Sequence, residues 1–288
     1  MKIDYIKDGI VEKAIFTKDD AVYEAVYYSY KEKKVICFSV QCGCRIGCSF
    51  CGTGRRYVRD LTIEEMLFQV TTGLERLGNP EDCEIMSMSM GEPMDTNWKN
   101  VLYVAKEVLD EGYHFYISTV GLKNKKALLK ILKMGSEYPK FGLQFSLHKT
   151  TDEKRMKLFK SQSKYELLSI DQLASLGDVF RLVSGNNTHY NYIVTGHEDL
   201  QDLHALKSIV GKNTLTCSVM CNINEKKQGD PKPATDLART LTNYGMNVKV
   251  FNPAGQDTIG GGCGQLHYVQ EFLKDGKFTF DIETPPRT

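Results

Sequence analysis

No charge of one sign dominates this sequence of 288 residues, in which Lys plus Arg number 37 and Asp plus Glu 36, a formal +1. That balance excludes a protein that coats nucleic acid through bulk positive charge, and leaves room for local basic patches. No run of about 18 apolar residues occurs, so no helix is expected to span a bilayer. The first residues carry Asp4, Asp8 and Glu12 where a signal peptide needs an unbroken apolar stretch. The expectation is a cytoplasmic chain without membrane contact. Low-complexity tracts, internal repeats and an obvious linker are also lacking, which favours a single domain. Apolar residues at 41% and charged residues at 25% supply a core and exclude disorder as the dominant state.

Short apolar runs alternate with helical patterns. Strands are expected at 35–40, 83–90, 114–118, 141–147, 189–194, 214–220 and 247–251. Helices are expected after Thr62, where Thr62 and Glu65 form a capping-box pattern, and at 97–111, 123–134, 164–176, 199–210 and 234–244. Alternation of this length reads as parallel βαβ units. About six units suit a complete or partial barrel, which periodicity does not separate from an open doubly wound sheet. The first thirty residues, rich in tyrosine, read as an N-terminal strand or hairpin, giving an extension over 1–34 and a core over 35–288. Polar groups recur at the carboxyl ends of the strands (Glu92, Ser118, His148, Thr195 and Asn222), where parallel α/β folds place their sites.

Nine cysteines are present, four of them within ten residues, an odd count that argues against a secreted disulfide framework. The run Cys44-Arg-Ile-Gly-Cys48-Ser-Phe-Cys51 offers three thiolates from one loop. An ordinary [4Fe–4S] cluster takes four cysteines, so three leave one iron open to another ligand. A structural zinc site is the alternative, with Cys42 as a fourth ligand, but C-x-C-x3-C-x2-C is an odd spacing for zinc.

The C-x3-C-x2-C spacing, with Phe50 before the last cysteine, resembles that of the radical S-adenosylmethionine (SAM) enzymes. Further motifs narrow the resemblance: Ser39–Gly54, Arg59-Asp-Leu-Thr62, Met90-Gly-Glu-Pro93, Phe145-Ser-Leu-His148 and Cys263-Gly-Gln-Leu266. In this order they look like the radical SAM RNA adenine methyltransferases, which modify carbon 2 or carbon 8 of adenine. The resemblance implies an α/β fold of the partial (β/α)6 TIM-like type, a [4Fe–4S] cluster on Cys44, Cys48 and Cys51, and two SAM molecules per turnover. It further implies an RNA substrate (rRNA or tRNA), a flavodoxin-type or ferredoxin-type electron donor, and a monomer. Carbon 2 is preferred as the commoner activity of the family.

Adenine carbon 2 or 8 is electron-poor and bears an unactivated hydrogen, so direct attack on the SAM methyl group is not available. The family first methylates one of its own cysteines. A radical then takes a hydrogen from that methyl group, the resulting carbon radical adds to the base, and a second thiol releases the adduct by forming a disulfide. By motif, Cys263 matches the methyl carrier and Cys37, seven residues before Cys44, the resolving thiol. Thiols suit both roles because thiolates are nucleophilic and their disulfides reversible. Glu24 matches the general base that takes the ring proton, a role that a carboxyl raised by burial would serve. Gly91, Glu92, Ser118, Ser146, His148 and Asn222 match SAM-contacting positions, with Asn224 competing with Asn222. Cys42, Cys83, Cys217 and Cys221 read as core fillers.

The sequence departs from the family in two ways. Barely twenty residues precede Glu24, so the family's helical N-terminal domain is expected to be missing. Upstream of Cys263 a Gly260-Gly-Gly262 run replaces an arginine-bearing segment and suggests a mobile loop. Arg55, Arg56 and Arg59, next to the cysteine loop, are candidates for positioning phosphates, whereas the basic set from Lys154 to Lys164 reads as a solvated helix face. Two other readings stay open: the same chemistry on a nucleotide or other small molecule, and a zinc-stabilised binding module without catalysis.

Overall fold

The computed structural model describes residues 1–159, 166–223, 227–262 and 264–266. Two-residue turns shape the start of the chain. They join β1 (Lys2–Asp8), β2 (Val11–Lys18) and β3 (Ala21–Ser29) into an antiparallel meander, closed by the pairs Asp8↔Val11 and Lys18↔Ala21. One strand or a hairpin was expected here. Six consecutive residues of β2, Val11–Phe16, are buried, so its sequence shows little of the alternation that marks a half-exposed strand.

The chain divides into two compact units. The first takes in the described residues of Met1–Phe115 and Cys221–Gln228 and those from Pro253 onward; the second takes in Tyr116–Met220 and Gly229–Asn252. In the first unit β4 (Lys34–Cys37) pairs antiparallel with β3, and β5 (Gln41–Gly43) forms a separate two-stranded ladder with β6 (Tyr57–Asp60). Helix α1 (Ile63–Arg76) begins at Thr62, whose hydroxyl accepts from the Glu65 amide while the Glu65 carboxylate accepts from the Thr62 amide, the capping box expected from the sequence. β7 (Glu84–Ser87) then pairs parallel to β4, Cys37 facing Met86, and α2 (Trp98–Asp110) follows. The strand order is β1-β2-β3-β4-β7. Burial of Phe16, Tyr23, Tyr27 and Phe38 supplies much of the apolar core of this unit.

The second unit repeats strand and helix: β8 (His114–Thr119, from Tyr116 on), α3 (Lys125–Glu137), β9 (Phe141–Ser146), the short α4 (Asp152–Met156), α5 (Ile170–Ser184), β10 (His189–Val194), α6 (Leu200–Val210), β11 (Thr214–Val219), α7 (Lys232–Asn243) and β12 (Asn247–Phe251). Strands β9 to β12 are parallel neighbours in chain order. The helix expected over 164–176 starts later and runs further. Ser169 and Gln172 make a second capping box, and Gly185, at φ +75°, ends the helix in a left-handed cap. Among the described residues no helix is long and apolar enough to cross a membrane.

Candidate functional site

The cysteine loop hangs from the β5–β6 ladder. Cys44 donates its amide to the Arg56 carbonyl at 2.9 Å, and the Cys51 amide closes a turn on the Cys48 carbonyl at 3.0 Å. The loop is gathered tightly enough for its thiols to affect one another. Burial pushes the Cys48 thiol up, and the charges of Cys51, Cys44 and Glu92 push it further; Cys44 is raised by burial, with Cys51, Glu92 and Asp95 adding to it. Three thiolates beside a carboxylate call for positive charge, and cationic irons would supply it. Among the described residues no group of three His, Cys, Asp or Glu converges closely enough to hold a single metal ion. A cubane attaches each cysteine to a different iron, so its ligands stand further apart than those of one ion. The donor set fits a cluster.

The Gly91-Glu92 turn packs against the start of the same loop. Val40 and Gln41 both donate their amides to the Met90 carbonyl. Gly91 sits at φ +105°, and a Cβ there would lie 2.7 Å from the Gln41 side chain and 2.8 Å from Val40 Cγ2, so no other residue fits. The buried Glu92 donates its backbone N–H to Gln41 Oε1 at 3.1 Å and accepts from the Met94 amide at 3.0 Å. Arg45, inside the cysteine loop, binds this turn. Its guanidinium stacks 4.2 Å over Tyr57 and pairs with Asp60 and Asp95, while Gln41 Nε2 donates to both carboxylates.

Cys263 lies outside the described residues, but both its neighbours are within them. The Gly264 carbonyl accepts from the Gly52 amide at 2.7 Å, and a Cβ on Gly264 would lie 2.8 Å from the Phe50 carbonyl oxygen and 3.1 Å from Cys51 Cα. The residue after Cys263 is thus seated on the residues around Cys51. On the other side, the Gly262 amide donates to Gln265 Oε1 at 2.8 Å, and Gln265 Nε2 donates to the carbonyls of Asn222 and Gln256. The Gly260–Gly262 run, expected as a loose loop, is fastened instead: Gly260 and Gly261 accept from Lys13 and Tyr28. Cys221 is a correction as well. β11 ends at Val219, so Cys221 leaves the core, and its sulfur lies 2.7 Å from where a Cβ on Gly262 would be. Cys42, Cys83 and Cys217 are buried as expected.

Glu24 and Cys37 stand on adjacent strands of the first unit. Cys37 ends β4, is half-buried, and pairs with Val26; its carbonyl accepts from Ser89 Oγ. Glu24 is wholly buried and its nearest charge is Lys13, whose Nζ lies 3.1 Å from Glu24 Oε2. Burial raises the Glu24 carboxyl to about 7, with Lys13 restraining the rise. The reading from sequence missed Lys13, although a lysine two residues before Ile15, the cross-strand partner of Glu24, shares its face of the sheet. Asn222 uses its side chain locally, donating to the Lys227 carbonyl at 3.4 Å; Asn224 lies outside the described residues.

In the second unit, Ser118, next to last in β8, and Ser146, last in β9, lie at the carboxyl ends of neighbouring strands, and Ser118 Oγ accepts from Gln144. His148 follows β9 with φ +58°, a left-handed conformation that a non-glycine residue adopts only when its surroundings impose it. Burial, then the charges of Arg155 and Lys149, lower its imidazole to about 3, so it is neutral at physiological pH. Arg155 was expected on a solvated face but is buried, donating to the carbonyls of Val120 and Leu168. Lys154 and Lys157 of that set pair with Asp202 and Glu153; Lys160 and Lys164 lie outside the described residues.

Arg59 is committed to a structural partner. Its two terminal nitrogens bind the two Glu65 oxygens at 2.7 and 2.8 Å. Burial alone would raise Glu65, but Arg59, the Thr62 amide and Lys18 together bring its carboxyl down to about 2. A carboxyl lowered on folding stabilises the fold above the ordinary carboxylate range, and the contribution is lost as pH falls toward the folded value. Glu65→Gln is therefore expected to cost about 2 kcal/mol near neutral pH, with the gap to the wild type closing as pH falls from about 5 to about 2. Urea unfolding midpoints across that range check this, and a gap independent of pH would contradict it.

Comparison with known proteins follows the same lines. A family model described as the Radical SAM superfamily matches residues 38–208. Two proteins of Clostridium perfringens, strains SM101 and 13, each named "Probable dual-specificity RNA methyltransferase RlmN", are 32% identical over 282 residues, covering 92% of this chain and 78% of their own. A protein of the same name from Dictyoglomus turgidum is 28% identical over 286 residues, with 93% and 78% covered. The crystal structure of a radical SAM methyltransferase from Sphaerobacter thermophilus matches with a TM-score of 0.74 at 22% identity, over 91% of this chain and 80% of that one. That likeness shows the fold and agrees with the α/β, partial TIM-like class expected from the sequence.

Proposed function

Because the chain belongs to the radical SAM superfamily and, within it, to the family of the dual-specificity RNA methyltransferases, we propose that it methylates carbon 2 of an adenine in RNA through Cys263, Cys37 and Glu24. It is a radical SAM RNA methyltransferase, and the zinc-stabilised module is set aside. When bound, the [4Fe–4S] cluster and SAM supply an electron, the methyl group and the means of taking a hydrogen atom from an unactivated carbon.

The chain's own residues do the rest. Cys44, Cys48 and Cys51 would hold the cluster. Gly91 and Glu92, beside them, receive the amino group of SAM, with Ser118, Ser146, His148 and Asn222 as its further contacts. The Cys263 sulfur accepts a methyl group and, once a hydrogen is removed, joins it to the base. Glu24, with a carboxyl near neutrality, takes the displaced ring proton. The radical adduct gives one electron back along the path that supplied the first, and the Cys37 thiolate attacks the Cys263 sulfur: a disulfide forms, the sulfur–carbon bond breaks, and the methylene carbon keeps that electron pair and takes up a proton to become the methyl group of the freed base. Cellular thiols reduce that disulfide, which suits the cytoplasm, and a flavodoxin-type or ferredoxin-type protein feeds electrons to a monomer.

The observation that supports this reading most is the hydrogen bond from Gly52 to Gly264, which ties the residue after Cys263 to the residue after Cys51. A methyl carrier has to meet SAM beside the cluster, and a contact that holds its neighbour against the loop of Cys51 supports that role. The test is Cys37→Ala protein purified from cells. Without the resolving thiol the adduct persists, so the variant should carry covalently bound RNA. Recovery free of nucleic acid, with Cys263 methylated by mass spectrometry, would overturn the RNA assignment. Nucleoside analysis of cells with and without the gene should show 2-methyladenosine lost with the gene; loss of 8-methyladenosine instead would move the site to carbon 8.

A further inference from the structure

Lysine is among the residues least often buried, and Lys13 has no exposed surface at all. Its ammonium makes two contacts on separate parts of the chain. It lies 3.1 Å from Glu24 Oε2 on β3, and it donates to the Gly260 carbonyl at 2.7 Å. Tyr28, four residues beyond Glu24 on the same face of β3, donates to the next carbonyl, Gly261, at 2.9 Å. The β2–β3 hairpin thus grips two successive carbonyls of the segment that leads into Cys263. Packing alone needs no charge here, and an apolar residue at position 13 would avoid the cost of burying one.

We propose that Lys13 is a positioning residue of the methylation reaction: one ammonium fixes the Glu24 carboxylate and the Gly260 carbonyl relative to each other, keeping the base in register with the segment that carries Cys263. This rests on the reading of Glu24 as the base. The charge of Lys13 also bears on the readiness of that base. Burial raises Glu24 and lowers Lys13, and their mutual attraction opposes both shifts. The elements packed against β3 bring Lys13 from β2, Cys37 from β4, Cys42 from β5 and Glu65 from α1, and Lys13 is the charge that acts on Glu24. Glu65 acts on Tyr23, on the opposite face of the strand. Removing Lys13 leaves burial unopposed, so Glu24 keeps its proton to higher pH and cannot accept another.

The test uses the cluster-loaded protein and three variants, Lys13→Met, Glu24→Gln and the double variant, with two readouts. One is hydrogen–deuterium exchange of 255–262; the other is the pH profile of single-turnover RNA methylation. Lys13→Met should speed exchange in the segment roughly tenfold and move the acid limb of the profile up by about one pH unit. Should the buried carboxylate left unpaired in Lys13→Met prevent folding, the double variant carries neither charge and must show the same faster exchange. Wild-type exchange in either variant, or an unmoved acid limb in Lys13→Met, overturns the proposal. Failure of the base reading looks different: Glu24→Gln would keep methylating RNA, whatever the exchange of Lys13→Met.

Discussion

Cys263→Ala protein is expected to go on cleaving SAM when supplied with an electron donor, yet to make no methylated RNA. The fall in methylation should be roughly 10³-fold or more, because no other group takes over the transfer once its covalent carrier is gone. The two halves of this expectation depend on different residues. On the proposed reading, SAM cleavage uses the three cysteines of the 44–51 loop and the Gly91-Glu92 turn, all of which the variant keeps. Transfer needs the sulfur at 263. Deoxyadenosine release and RNA methylation, measured on the same anaerobic preparation, separate the two, and methylation retained by the alanine variant would refute the carrier role.

Gly264→Ala should give nearly as large a loss without removing any reactive group. At φ +82° an alanine is strained by about 1 kcal/mol, a cost the fold can absorb. The added Cβ would in addition meet the Phe50 carbonyl oxygen at 2.8 Å and Cys51 Cα at 3.1 Å, both backbone atoms of the cluster loop. Backbone does not swing aside as a side chain can, so the segment must lift, and a shift of about 1 Å near reacting groups costs on the order of 10²-fold. Gly112→Ala is the control. It has the same strained conformation, φ +88°, with nothing within 4 Å of the new Cβ. Backbone strain should lower stability in both, and methylation should fall only in Gly264→Ala. Equal activity in the two variants would mean that the seat of Gly264 on the cluster loop does not matter to transfer.

Local features were legible from the sequence because local chemistry sets them. The capping box at Thr62 and the bounds of β10 and β12 follow from neighbouring residues, and the structure has them where the pattern put them. Helix α5 was misjudged at both ends because its apolar periodicity is weaker as a boundary signal than the Ser169–Gln172 box and the Gly185 cap. The basic residues were read by charge alone. Arg59 binds Glu65, across the β6–α1 junction, and Arg155 binds the carbonyls of Val120 and Leu168 from other segments, and no spacing rule announces these partners. By pattern Cys221 goes with the strand expected over 214–220, but β11 ends at Val219, short of that bound, and Cys221 lies beyond it.

By itself the sequence determined the kind of chemistry. Three cysteines at C-x3-C-x2-C can share a cluster wherever the loop sits, since their separation along the chain limits how far apart they can be. Tertiary structure alone decided what surrounds that loop. Gly264 and Cys51 are more than two hundred residues apart in the chain, as are Lys13 and Gly260, and such pairs meet through strand order and turn geometry that no local pattern encodes. The environment of Glu24 is of the same kind: its carboxyl is near neutrality because folding strips away its water and leaves it one lysine.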